Sequence, residues 1–158
     1  MKNELTLNID YDLNYFLIAI RSKLDDYRFA YFLNKSPFFF FKRMPKDLHC
    51  RIDNKNIYFS SFESKKNELK QSSFLIKNQA IYSNSLATRE TLFGSSLISN
   101  SAFLIPELKE FDYFLKLIGI WKKPAIISLR EYLQEMKFVE SETNIDLTTI
   151  KSVDNLVF

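Results

Sequence analysis

Cysteine occurs once in this chain of 158 residues, at Cys50, so neither an intramolecular disulfide nor a thiolate zinc cage can form. A lone thiol fits a reducing, cytoplasmic setting. Histidine also occurs once, at His49, and there are only two glycines. Those absences exclude a metal-spaced His cluster, a Gly-rich phosphate loop and a nucleophile elbow. Four prolines in all argue against a disordered or collagenous chain. The longest strongly apolar run, residues 15–20, falls short of the ~20 residues that a membrane-spanning helix needs. The amino terminus, residues 1–11, is polar, carries Glu4 and Asp10 and lacks an export signal. No membrane partner is expected.

What is present points to a folded body. Apolar residues make up 46% of the chain and aromatics 16%, with 16 Phe; a domain of this length buries roughly 70% of its unfolded surface. One α+β domain over residues 1–158 is expected. The net charge is only +3, but residues 35–77 hold ten Lys or Arg against four Asp or Glu, leaving the rest of the chain net acidic. That asymmetry suits an anionic partner or a solvated strand face.

Periodicity and breakers suggest the elements. A buried strand over 14–21 runs into a helix ending near Asn34, with Ser22 and Asp25 in a capping-box spacing and Leu24, Tyr27 or Arg28, Tyr31 and Phe32 at helical intervals. Strands are expected at 38–43, 47–52, 57–62 and 74–82, with a hairpin turn at 53–56. In residues 83–101, ten of nineteen are Ser, Thr or Asn, which reads as a long loop with scope to move. A strand at 102–105, a helix at 107–118 ended by Gly119, a helix from Pro124 to about 137 and a closing strand at 143–149 follow. The tail, 152–158, ends in apolar residues that suit docking on the body. The sum is a single antiparallel sheet of about six or seven strands with about three helices packed on one side.

Residues 105–113, Ile105-Pro106-Glu107-Leu108-Lys109-Glu110-Phe111-Asp112-Tyr113, resemble the signature of the IPExxxVDY family, a group of small bacterial proteins. Residues 24–35 resemble that family's "LEDYRLAYLLNK" region, and 155–158 resemble its "NLIF" ending. The departure within the signature is Phe111 in place of Val, an apolar exchange. The family carries no assigned activity, so the resemblance implies kinship and no chemistry.

Four groups of residues are candidates for function. His49 and Cys50 are neighbours that a strand would point to opposite faces, which favours structural roles over a thiolate–imidazole pair. Asp25, Asp26 and Arg28 open a helix after a buried strand, where capping is the commoner use of acids. Glu107, Asp112 and Tyr113 are the polar members of the signature beside Ile105 and Pro106. On a helix the two carboxylates would stand about 140° apart, against a shared metal; an ion pair of either with Arg28 is the structural expectation. Asp25, Arg28, Glu107 and Asp112 together are the basis of an alternative, enzymatic reading. Finally, Phe38 to Phe41 precede Lys42, Arg43, Lys46 and Arg51. Either Phe39 and Phe41 lie in a core strand, or aromatic rings and cations together form a surface for RNA, a ribonucleoprotein or a protein partner. A non-enzymatic binding or adaptor role through this basic aromatic segment, with no cofactor and no metal, is the favoured expectation. A structural subunit that inserts its tail, 156–158, into a partner is the third.

Overall fold

Four consecutive apolar residues, Leu17, Ile18, Ala19 and Ile20, are each 0% exposed, because they lie on a strand covered on both faces. The computed structural model describes residues 14–91 and 94–158, so the reading of the amino terminus lies outside the described residues. The first strand, β1 (Tyr15–Arg21), leads into the helix α1 (Asp26–Leu33). The expected capping box does not form. Asp25 is the N-cap but makes no side-chain capping bond, while the Ser22 N–H donates to Asp112 Oδ2 at 2.8 Å. The helix buries Phe29, Ala30 and Leu33, not Tyr27 and Tyr31, which are 63% and 59% exposed. Leu24 precedes the helix, so a helical phase counted from it is rotated off the true inner face.

Of the strand expected at 38–43, only β2 (Lys42–Arg43) pairs. A hairpin follows, β3 (Leu48–Ile52) and β4 (Lys55–Phe59). Its turn residues Asp53 and Asn54 have φ of 49° and 61°, the left-handed pair that a two-residue type I′ turn demands. The strand expected at 57–62 breaks at Ser60, and β5 (Ser61–Lys66) joins β6 (Gln71–Lys77) through a 3-10 turn at Asn67–Leu69. Next, β7 (Gln79–Thr91) and β8 (Gly94–Phe103) form an antiparallel ribbon with an irregularity between Ser83 and Thr88. Strand pairing thus replaces the loop expected over 83–101. After a 3-10 turn at Pro106–Leu108 comes β9 (Tyr113–Gly119), then helix α2 (Lys123–Glu135) and β10 (Ser141–Asn144). The closing strand is therefore shorter than expected, and 3-10 turns occupy Leu147–Thr149 and Val153–Leu156.

The main sheet has six antiparallel strands in the order β10-β1-β9-β6-β5-β2, and β3–β4 and β7–β8 are separate two-stranded units. Two α-helices, not three, are present among the described residues. The missing one is the helix expected at 107–118, where the 3-10 turn at Pro106–Leu108 leads instead into the central strand β9. Leu108, Phe111, Leu115 and Ile118 match a helical period, but Tyr113 to Leu117 are all buried, with alternate residues serving opposite cores. Leu115, Leu117 and Tyr113 join Phe29, Leu33, Phe39, Phe41, Leu129 and Leu133 beneath the helices. Phe114 joins Leu17, Phe74, Ile76, Cys50, Phe59 and Leu156 under the β3–β4 hairpin and the tail. A strand buried on both sides reads as a continuous apolar run, which periodicity alone does not distinguish from a helix.

Asn78, 0% exposed, ties these layers at the end of β6. Its N–H donates to the Asp112 carbonyl at 2.8 Å and its own carbonyl accepts from Leu104 N–H at 2.7 Å. Its side-chain Nδ2 donates to the carbonyls of Leu108 and Phe111, at 3.0 and 2.9 Å, and Oδ1 accepts from Ile105 N–H at 3.0 Å. At the other end of β9, Gly119 has φ +97°, and a Cβ there would lie 2.0 Å from the Lys70 carbonyl oxygen, so only glycine fits. Replacing Asn78 by Ala takes the side-chain partner from the Phe111 carbonyl and the Ile105 N–H, while the Leu108 carbonyl keeps the Phe111 N–H. The expected loss is about 2–4 kcal/mol of unfolding free energy by urea titration, and a loss below about 0.5 kcal/mol would be the signature of a neutral surface site.

Candidate functional site

The signature residues 105–113 form a set of internal ties. Ile105 is fully buried and Pro106 opens the 3-10 turn. Glu107 accepts from Ser152 N–H at 2.6 Å and from Ser152 Oγ at 2.9 Å, pinning the start of the last 3-10 turn. Burial alone would raise the Glu107 carboxyl, but the hydrogen bonds from Ser152 outweigh it and hold its pKa below the ordinary value. Asp112 holds the turn after β1 through Ser22. The Tyr113 hydroxyl donates to the Leu24 carbonyl at 2.5 Å, and burial first, then the charges of Asp26, Asp112 and Asp25, push its pKa well above the usual range.

The four residues of the enzymatic alternative go separate ways. Asp25 and Asp112 both lie near the Tyr113 hydroxyl, Glu107 serves the carboxy-terminal turn, and Arg28 is exposed. The expected ion pair of Arg28 with Glu107 or Asp112 does not form. Among the described residues no cluster of three or more His, Cys, Asp or Glu is placed to hold a metal. No helix among them is long and apolar enough to cross a membrane.

His49 and Cys50 do face opposite ways on β3. Cys50 is buried, which pushes its thiol pKa up and away from nucleophilic use. The His49 ring lies 5.1 Å from that of Tyr58 and bonds Asn56 Oδ1 at 2.9 Å.

The aromatic segment divides by alternation. Phe39 and Phe41 are 3% and 5% exposed with ring centroids 4.7 Å apart, so they belong to the core and have no face free for a ligand. Phe40, between them, is 66% exposed. Arg43 is also committed: Nη1 reaches Asp26 Oδ2 at 3.1 Å and Ser60 Oγ at 2.7 Å, and Nη2 bonds both Asp47 oxygens at 2.7 and 2.8 Å. Asp26 also accepts from Ser60 Oγ and Tyr27 N–H. Burial alone would raise the Asp26 carboxyl, but these bonds and the Arg43 charge outweigh it and keep its pKa low. Arg51 stands on the outer side of the β3–β4 hairpin, apart from Lys42 and Lys46, which are exposed on and after the edge strand β2.

Two contacts lay α1 alongside this segment. Arg43 bonds Asp26 at its start, and near its end Asn34 Nδ2 donates to the Phe41 carbonyl at 2.9 Å while Asn34 Oδ1 accepts from Phe41 N–H at 2.6 Å. Tyr27 lies about 20° around the helix from Asn34, and Tyr31 about 40° further. Both tyrosines therefore border the segment that carries Phe40. Lys35 Nζ sits 4.8 Å from the Tyr31 ring centroid and Lys42 Nζ 5.4 Å from that of Phe40. Arg43 opposes Phe62, which packs in the core under α1, so Lys42 and Glu63 point to the other side of the sheet: Tyr27, Arg28, Tyr31 and Lys35 are exposed on the helix side of the β2 edge, and Phe40 and Lys42 on the other. The i, i+4 spacing of Tyr27 and Tyr31 was the available signal. At the sheet edge Phe40, Lys42, Arg43, Met44, Pro45, Glu63 and Lys65 line an open cleft of about 380 Å³. No family model, curated protein or solved structure matches the chain.

A second concentration of chemistry lies further along the sheet face that carries Lys42 and Glu63, the side away from α1. Lys116, in the middle of β9, is 4% exposed. Its Nζ donates to the Leu156 carbonyl at 2.6 Å and stands 4.1 and 4.6 Å from the ring centroids of Phe158 and Tyr15. No carboxylate pairs with it among the described residues. The tail thus docks on its own body: Leu156 is fully buried and the Phe158 ring meets Phe74 edge-on at 5.1 Å.

Burial lowers the Lys116 pKa from 10.5 to about 8. The unfolded chain holds this proton more tightly, so folding is penalised below pH 8, and stability rises between about 8 and 10.5. Measured by urea unfolding at about pH 7 and about pH 10, the native chain gains on the order of 1–3 kcal/mol relative to Lys116→Met. A difference between the two proteins that is the same at both pH values removes this assignment.

Proposed function

We propose that this chain is a non-enzymatic cytoplasmic binding protein that holds unpaired RNA around the β2 edge, from the Phe40–Lys42 side of the sheet to the exposed side of α1. The observation that carries the reading is the pairing of exposed rings with cations that make no ion pair among the described residues. Tyr31 stands beside Lys35 and Phe40 beside Lys42, while Lys46 and Arg28 flank them exposed. Stacked bases need free aromatic faces, and the phosphates between them need donors that are not already neutralised. Arg43 is excluded from the second role by Asp26 and Asp47; it serves to hold α1 against the segment.

The excess of ten basic over four acidic residues in 35–77 supports the same partner. The buried, undisturbed Cys50 thiol accords with a reducing compartment. We also read the chain as a member of the IPExxxVDY family on its 105–113 motif, whose residues here act as internal ties and leave the binding surface to other elements.

Fluorescence anisotropy with a labelled single-stranded RNA of about ten nucleotides, over a salt series, tests the proposal. Each phosphate contact contributes about −0.7 to the slope of log affinity against log salt for a single strand. The variant K35A/K42A/K46A is expected to flatten that slope by about 2. Phe40→Ala is expected to weaken binding by about 1–3 kcal/mol with little change of slope. Absence of binding at about 50 mM salt, where such contacts are strong, would falsify the RNA reading. A stable protein partner, recovered by affinity purification and lost with the same substitutions, would replace it.

A further inference from the structure

Resting on the RNA reading, we propose that the cleft at the β2–β5 edge is a base pocket selective for guanine, read by the Glu63 carboxylate that lines it together with Phe40. The register places Lys42 opposite Glu63, the Lys42 Nζ lies 5.4 Å from the Phe40 ring centroid, and Phe40 N–H donates to the Ser64 side-chain Oγ at 2.8 Å. Residues two apart on a strand share a side. Phe40 and Lys42 therefore stand on the same side as Glu63 and Lys65, and all four line the cleft. Its volume, about 380 Å³, lies within the ~300–1,000 Å³ usual for small-molecule sites.

The chemistry of the lining is one-sided. Phe40, 66% exposed, supplies a stacking face. Lys42, Arg43 and Lys65 donate hydrogen bonds and accept none. Glu63 is the one carboxylate of the lining and accepts on two adjacent oxygens. Its partner Lys65 lies at 2.9 Å, but the two side chains are 28% and 56% exposed. Such a pair is worth only ~0–1 kcal/mol, so it yields readily to a better-matched donor set.

Among the four RNA bases, guanine alone carries two neighbouring donors, N1–H and the N2 amino group, on its pairing edge. Adenine and cytosine each set one donor beside an acceptor, and uracil sets one donor between two carbonyls. A carboxylate meets those three with one oxygen against a lone pair. Guanine also offers O6 and N7 as acceptors, to which Lys42 and Lys65 are the complementary donors. Arg43 does not compete for the base because its guanidinium is held by Asp26, Ser60 and Asp47.

The test compares a uridine decamer with the same strand carrying G, A or C at its two central positions, using the full chain and Glu63→Gln. The expected result is binding of all four strands with the G strand favoured about tenfold, within the discrimination of a bidentate contact. In Glu63→Gln the ratio of G to U affinity falls toward one while the uridine strand still binds, because a carboxamide offers one acceptor beside one donor. Equal affinity for all four strands overturns the guanine pocket and leaves the RNA reading standing. A G preference that survives in Glu63→Gln overturns the role given to Glu63. No binding to any strand overturns the underlying reading itself.

Discussion

The five hydrogen bonds of Asn78 are the constraint on which the rest of the structure depends. One buried residue satisfies backbone groups of Leu104, Ile105, Leu108, Phe111 and Asp112, at the point where β6 turns into β7, β8 ends and β9 begins. A buried backbone donor or acceptor without a partner costs as much as a lost hydrogen bond. The sharp route from the ribbon back into the sheet is tolerable because Asn78 supplies those partners from its side chain as well as its main chain. Glu107, Asp112 and Tyr113 extend the knot outward to Ser152, Ser22 and Leu24. The polar residues of the signature are thereby spent on architecture.

That knot delivers β9 to the middle of the sheet, where both faces must be covered. The helices and the Phe39–Phe41 pair cover one side, and the β3–β4 hairpin and the carboxy-terminal tail cover the other. Lys116 is the exception to an otherwise apolar strand. Its charge is accommodated by a carbonyl and two rings instead of a carboxylate, and the tail that provides them is part of the body.

The surface left for a partner follows from these commitments. Alternation along 38–41 buries two rings and presents Phe40. The Arg43–Asp26 ion pair and the Asn34–Phe41 bonds bring α1 beside the same segment, so that the outward tyrosines of the helix and the Phe40–Lys42 pair flank the β2 edge from its two sides. A two-residue edge strand of Lys42 and Arg43 is also poorly suited to strand-on-strand association, which leaves its side chains available for other contacts.

The sequence by itself determined the class of the fold, the first strand and both α-helices, the β3–β4 turn and the opposed placement of His49 and Cys50. These depend on local chemistry: alternation or helical spacing over a few residues, Pro124 in a first helical turn, and a pair of Asp and Asn tolerant of positive φ. Only the tertiary structure decided that 113–119 is a strand, since a run covered on both sides carries no period of two. It also decided that 83–101 pairs as a ribbon, because cross-strand partners lie outside any local window. The inner face of α1, which of the Phe38–Phe41 rings stay exposed, the neutralisation of Arg43 and the role of Asn78 were hidden for the same reason. Each is set by which distant segment packs against it, and that contact has no imprint on the spacing of neighbouring residues.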